Sequence, residues 1–184
     1  MAKPLAVLIV EDSESDAQLI VRFLDKAGYQ VDYEQVDTAE GMHAALEKKA
    51  WDIVISDYSL PQFNGPAALA LLKETGGDIP FIVVSGTMGE ETAVAMMKAG
   101  AHDYLMKGNM TRLVPAIERE LEQAGMRRDR KQARNDLRAS EKRFRALIEN
   151  STDAITLLDA SGNGIYDSPS APGMLGYGPE DCIG

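Results

Sequence analysis

"WDIVISDYSLPQFNG" (Trp51–Gly65) decides the fold. Ile53–Ser56 reads as a short buried strand, and Asp57 follows it directly. Pro61 and Gly65, both turn formers, come next. A carboxylate delivered to the end of a buried strand either caps a loop or is presented to something, and the rest of the chain chooses between the two.

Outward from this stretch, short apolar runs alternate with helical patterns. Leu5–Val10 is the first strand. Glu14–Ala27 follows as a helix, with Ala17, Ile20, Val21 and Leu24 at helical spacing and Gly28 suited to a stop. Gln30–Val36 reads as a strand, Thr38–Lys48 as a short helix and Pro66–Lys73 as another. Phe81–Val84 is the fourth strand, Glu90–Ala99 a helix stopped by Gly100, and Asp103–Met106 the fifth strand. From Met110 onward the pattern is helical. This alternation predicts an α/β fold: a five-stranded parallel sheet, doubly wound, with helices on both faces. Strands one, three and four are nearly all apolar, as burial on both sides requires.

Composition narrows the function. The chain has 184 residues, 45% apolar, with a net charge of −10. That charge argues against a general nucleic-acid-binding surface, which is usually basic. The charge is also uneven: residues 1–117 carry −8, residues 118–145 carry +4 and residues 146–184 carry −6. A basic segment between two acidic ones suggests a connector between distinct units. The single cysteine, Cys182, excludes an internal disulfide and a cysteine-rich metal site. The N-terminal apolar run is too short for a signal peptide or a membrane span, so the expected location is cytoplasmic, with no membrane partner.

In an open parallel sheet, ligands bind beyond the carboxyl ends of the strands. Glu11 and Asp12 follow strand one, Asp57 follows strand three, Ser85 ends strand four with Gly86 and Thr87 behind it, and Lys107 follows strand five. Each has a bland reading: Asp12 as a helix N-cap, Asp57 as a loop acid, Ser85 as a turn residue, Lys107 as a solvated charge. Together those readings do badly, because gathered carboxylates repel unless a cation neutralises them. An all-oxygen set points to Mg²⁺. A carboxylate beside a metal, a lysine and a hydroxyl is suited to receive a phosphoryl group, with Asp57 as nucleophile.

These residues carry a resemblance. "VED" (Val10–Asp12), "DYSLPQFNG" (Asp57–Gly65), "VVSG" (Val83–Gly86) and "AGAHDYLMKG" (Ala99–Gly108) resemble, in order and spacing, a response-regulator receiver domain of two-component signalling over residues 1–122. The resemblance implies a flavodoxin-like sheet. It implies that a partner histidine kinase or phosphotransfer protein phosphorylates Asp57. It implies that Asp12, Asp57 and the backbone carbonyl of Ser59 hold Mg²⁺, with Glu11 assisting through water. Lys107 would pair with the phosphoryl group, Ser85 would hydrogen-bond it, and Tyr104 would change rotamer with Ser85. Gly108 stands where receivers usually place a proline, which leaves that loop freer. A dehalogenase-type phosphatase would want a second Asp where Ser59 stands, and a flavin binder would not put the acidic "EDSESD" after strand one. A phosphorylation-silent receiver used only for dimerisation is the alternative function.

Beyond Val114 the helical pattern continues through a charge-rich run, Met126–Arg134. Ala133, Leu137, Ser140, Phe144 and Leu147 then follow a 4-3-4-3 spacing, a seam suited to a two-stranded coiled coil and hence to a homodimer. Unbroken from Met110 to Asn150, such a helix would be about 60 Å long at about 1.5 Å per residue. Residues 123–143 are expected to be this linker. Residues 144–184 resemble the start of a PAS domain: an entry helix "FRALIENS", strands "AITLLDASG" and "GIYDSPSA", then "LGYGPEDCIG". PAS domains are longer than this stretch, so the chain reads as a piece of a longer signalling protein, with a sensor or hybrid kinase or a cyclic-dinucleotide enzyme as candidate outputs.

Overall fold

The structure is a computed structural model that describes residues 2–86, 89–151, 153–171 and 173. Two compact units divide the chain, Met1–Arg128 and Asp129–Gly184.

In the first unit the elements are β1 (Lys3–Val10), α1 (Glu14–Lys26), β2 (Tyr29–Val36), α2 (Ala39–Lys48), β3 (Ile53–Asp57), α3 (Gly65–Glu74), β4 (Phe81–Ser85), α4 (Glu90–Lys98) and β5 (Asp103–Met106). The five strands form one sheet in the order β2-β1-β3-β4-β5, and every neighbouring pair is parallel. Central β3 and β4 are buried along almost their whole length, while β2 and β5 at the edges are half-exposed. The hydrophobic runs of the sequence are therefore the strands that two helical layers cover.

Two apolar clusters lie on the two faces. On one, α1 supplies Ala17, Ile20 and Leu24 against Ile9, Ile55 and Val84. On the other, Met42 of α2, Leu69 and Leu72 of α3 and Met96 of α4 pack on Val10, Val54 and Val83. Burying one such side chain is worth about 1.5–3 kcal/mol. Gly28, at φ +90°, turns the chain out of α1 in a conformation that an L side chain resists.

The expected elements recur with shifted ends. β1 starts at Lys3 because its pairing with β2 begins at Lys3 and Tyr29. Thr38 is the N-cap of α2, its hydroxyl accepting from the Gly41 N–H at 3.2 Å, so the helix begins one residue later than expected. The last helix does not start at Met110: Lys107–Arg112 forms a 3-10 segment with Asn109 in a non-helical conformation, and α5 runs from Leu113 to Glu149. Gly125 does not break it, since the i-to-i−4 bonds on either side outweigh a cost of about 1 kcal/mol.

The second unit contains the later part of α5 and a two-stranded antiparallel hairpin, β6 (Thr156–Leu158) and β7 (Gly164–Asp167). These strands are shorter than the sequence suggests. Asp159 ends the first, its carboxylate accepting from the Ser161 and Asn163 N–H groups, and the chain turns back at Gly162. The stretch "LGYGPEDCIG", including Cys182, lies outside the described residues. Among the described residues no helix is long and apolar enough to cross a membrane.

Candidate functional site

The strand order reverses direction between β1 and β3, which leaves a crevice at their carboxyl ends. Asp57 is the last residue of β3 and Glu11 follows β1 directly. Glu11 is fixed at every polar atom. Its N–H donates to the Val36 carbonyl at 2.9 Å, its carbonyl accepts from Gln35 Nε2 at 2.8 Å, and Oε1 accepts from the Ser13 N–H at 3.1 Å. It is only 2% exposed. Burial pushes its pKa up, against the hydrogen bonds from Lys107 and Ser13 that pull it down.

Ser13, not Asp12, caps α1: its hydroxyl accepts from the Asp16 N–H at 3.3 Å. The capping reading of Asp12 is thereby removed, and Asp12, next to Glu11 in the chain, is exposed.

Lys107 follows β5 and reaches across the sheet end. Its ammonium lies 2.8 Å from Asp57 Oδ2 and 2.9 Å from Glu11 Oε2, and it also pairs with Asp16 Oδ2 in the first turn of α1. Burial by itself would lower the lysine pKa; the pairings with Asp16, Asp57 and Glu11 overcome that and hold it above the ordinary lysine value. One ammonium thus pairs with three carboxylates from three segments, hydrogen-bonding Glu11 and Asp16 and facing Asp57 as an ion pair.

Around this centre, Ser85 ends β4 and is buried beside the strand that carries Asp57. The exposed Ser59 donates its N–H to Asp57 Oδ1 at 3.2 Å, fixing the second carboxylate oxygen. Gly65 allows the loop after β3 to close: its N–H donates to the Tyr58 carbonyl at 3.0 Å, and a Cβ there would stand 3.2 Å from the Asp57 carbonyl oxygen. Tyr104 on β5 is half-buried, and its hydroxyl meets the sulfur of Met106 at 2.8 Å.

The structure therefore brings together Glu11, Asp57 and Lys107, with Ser59 bonded to Asp57 and Ser85 on the adjacent strand. Asp16 joins them although nothing in its local sequence marked it; the available hint was its place in the first turn of the helix that follows Glu11 and Asp12. Among the described residues no group of three or more acidic, histidine or cysteine side chains stands ready as a ligand set. What this crevice already attracts is a cation, in the form of the Lys107 ammonium. Its donors, carboxylate and carbonyl oxygens without sulfur or imidazole, suit a hard divalent ion such as Mg²⁺.

A doubly wound sheet in the order 2-1-3-4-5, with acids after β1 and β3 and a lysine after β5, defines a class of phosphate-handling signalling modules. The sequence model of the family described as response regulator receiver domain matches residues 7–118, and the chain belongs to that family. It is 31% identical over 126 residues to the nitrogen assimilation regulatory protein NtrX of Azorhizobium caulinodans, covering 67% of this chain and 27% of that protein. It is 32% identical over 101 residues to the transcriptional regulatory protein PrrA of Mycobacterium bovis, covering 55% and 42%. Among solved structures, the signal receiver domain of a putative LuxO repressor protein from Vibrio parahaemolyticus superposes with a TM-score of 0.61 at 26% identity, covering 67% of this chain and 95% of that one. The chain spans less than half the length of these two curated relatives. Receiver domains of two-component systems take phosphoryl groups from histidine kinases, and this receiver is homologous to those of NtrX and PrrA.

Proposed function

We propose that Asp57 is the phosphoacceptor of this receiver. The observation that carries the reading is the single lysine held against Asp57 Oδ2 and Glu11 Oε2 at a strand-end crevice. An Asp57 carboxylate oxygen attacks the phosphorus of a kinase phosphohistidine; the P–N bond breaks, a P–O bond forms, and the imidazole leaves with a proton. Asp12, Asp57 and the Ser59 carbonyl, with Glu11 behind them, would hold Mg²⁺, which would supply charge neutralisation for the incoming phosphoryl oxygens. Lys107 pairs with one of those oxygens and Ser85 donates to another. Tyr104 responds to Ser85 and carries the change to the β5 surface.

Acetyl phosphate with Mg²⁺ tests this: intact-mass spectrometry should show a gain of about 80 daltons that Asp57→Asn abolishes. No gain in the parent chain overturns it. A phosphorylation-silent dimerisation module would in addition show no thermal shift with beryllofluoride and Mg²⁺.

The further organisation belongs to the same proposal: a receiver over 1–122, a linker over 123–143 and the beginning of a PAS domain over 144–184. Leu137, Phe144 and Leu147 on the apolar seam of α5 are 57–74% exposed, which supports a homodimer formed through that helix. Leu137→Asp should then lower the sedimenting mass to that of one chain. The signal passes from the phosphorylated crevice along α5, which begins within the receiver and is continuous to Glu149. The acidic receiver surface and the lack of aromatics in the basic run support the absence of nucleic-acid contact.

A further inference from the structure

We propose that Asp16 is a positioning residue that engages the Lys107 ammonium from the α1 side until the phosphoryl group arrives. The inference rests on the phosphoacceptor reading and goes beyond it, because Asp16 belongs to none of the motifs that define that site.

The argument starts from donor counting. An ammonium has three hydrogens; Lys107 gives two of them to hydrogen bonds with Asp16 and Glu11 and faces Asp57 as an ion pair at 2.8 Å. To turn onto a phosphoryl oxygen at Asp57 it must loosen one of those two bonds. Glu11 is the costly one to release: it is 2% exposed, and among the described residues its carboxylate has, apart from Lys107, only the Ser13 N–H. Asp57 is 11% exposed and is the atom source for the new P–O bond, so Lys107 has to stay beside it. Asp16 is 38% exposed, and water replaces the lysine there at least cost.

Asp16 is also placed for this by the backbone. Ser13 caps α1 and binds the Asp16 N–H, which fixes the first turn of the helix beside the crevice. The Asp16 carboxylate then draws Lys107 toward α1, while its charge adds to the negative field that attracts a divalent ion. Two consequences of opposite sign follow. Asp16 slows phosphoryl uptake by holding the lysine, and it strengthens cation binding by its charge.

The experiment uses the full chain and the variants Asp16→Asn, Asp16→Ser and Asp16→Glu. Phosphorylation by acetyl phosphate at saturating Mg²⁺ should be about three- to fivefold faster in the Asn and Ser variants, the size expected for loss of a half-exposed ion pair. Asp16→Glu should return the rate to that of the parent. Calorimetric Mg²⁺ titration without phosphodonor should give about two- to threefold weaker binding for Asn and Ser, as expected for removal of one nearby charge. A role limited to helix stability would lower rate, affinity and Tm together. A rate in Asp16→Asn at or below that of the parent, or an Asp16→Glu rate as fast as that of Asn, overturns the inference alone. A parent chain that takes up no phosphoryl group overturns both this inference and the phosphoacceptor reading.

Discussion

The Lys107 ammonium stands 2.8 Å from Asp57 Oδ2 and 2.9 Å from Glu11 Oε2, so a residue that follows the edge strand β5 ties together acids that follow β1 and end β3. Sheet topology makes this possible. Parallel strands bring their carboxyl ends to one rim, and residues 96 positions apart in sequence meet there. The pairing gives the buried Glu11 carboxylate a positive partner, and removing that partner would leave the group with a desolvation cost.

Lys107→Met tests that dependence. The variant keeps most of the stem volume and leaves Glu11 with the Ser13 N–H alone. Unfolding in urea should show a loss of about 1–3 kcal/mol, the range for breaking a partly buried charge pair. Added Mg²⁺ should recover more stability in the variant than in the parent, because a divalent ion replaces the missing positive charge. An unchanged midpoint would show that the carboxylates do not need the lysine.

Much of this was legible in the sequence, for identifiable reasons. Ile53–Ile55 and Phe81–Val84 are continuous apolar runs, and these became the central strands because both faces are covered. Glu11, Asp57 and Lys107 could be grouped because strand ends in a parallel sheet share a rim. Asp16 could not be found this way: it is an acid in the first turn of a helix, a common place for one, and its meeting with Lys107 depends on the angle at which α1 leaves the crevice. The start of α5 was equally hidden. Nothing in "KGNMTR" distinguishes a 3-10 segment from the first turns of an α-helix, and Asn109 decides it by leaving helical geometry.

Glu11 also gives the chain a pH signature. Burial raises its pKa above the ordinary 4.5, over the opposing hydrogen bonds from Lys107 and Ser13. The folded chain holds that proton more tightly than the unfolded one. The contribution of Glu11 to stability is therefore full below about pH 4.5 and is lost as the pH rises through the folded-state value. Glu11→Gln cannot titrate. The stability of the variant relative to the parent should improve as pH rises from 4.5 toward neutrality, measured by urea midpoints at each pH. A difference that stays flat would contradict the assignment.

His102 works in the other direction. Its Nδ1 accepts the Phe81 N–H at 3.1 Å, so the neutral ring carries its proton on Nε2. Burial lowers its pKa below 6.5, and the charge of Arg127 adds to this, while Glu120 and Asp78 oppose. The folded state resists the second proton. Its contribution is present above pH 6.5 and is lost as the pH falls through the folded-state value. His102→Gln keeps an acceptor for the Phe81 N–H and removes the titration, so the fall in Tm of the parent below pH 6.5 should be shallower in the variant. Equal slopes would place the acid sensitivity elsewhere.

Gly65 links backbone packing to the reaction. A methyl group at this position would approach both the Asp57 carbonyl oxygen and Tyr58 Cα to 3.2 Å, closer than comfortable contact and against backbone on both sides. Neither neighbour can rotate away as a flexible side chain would, so relief must come from moving the Asp57–Tyr58 peptide or the start of α3. The first displaces the segment whose Ser59 N–H holds Asp57 Oδ1. Gly65→Ala should cost about 1–2 kcal/mol in unfolding free energy and slow acetyl phosphate uptake about tenfold or more, since small misplacements of a reacting group are expensive. Loss of stability with an unchanged uptake rate would mean that the strain is taken up by α3, leaving Asp57 in place.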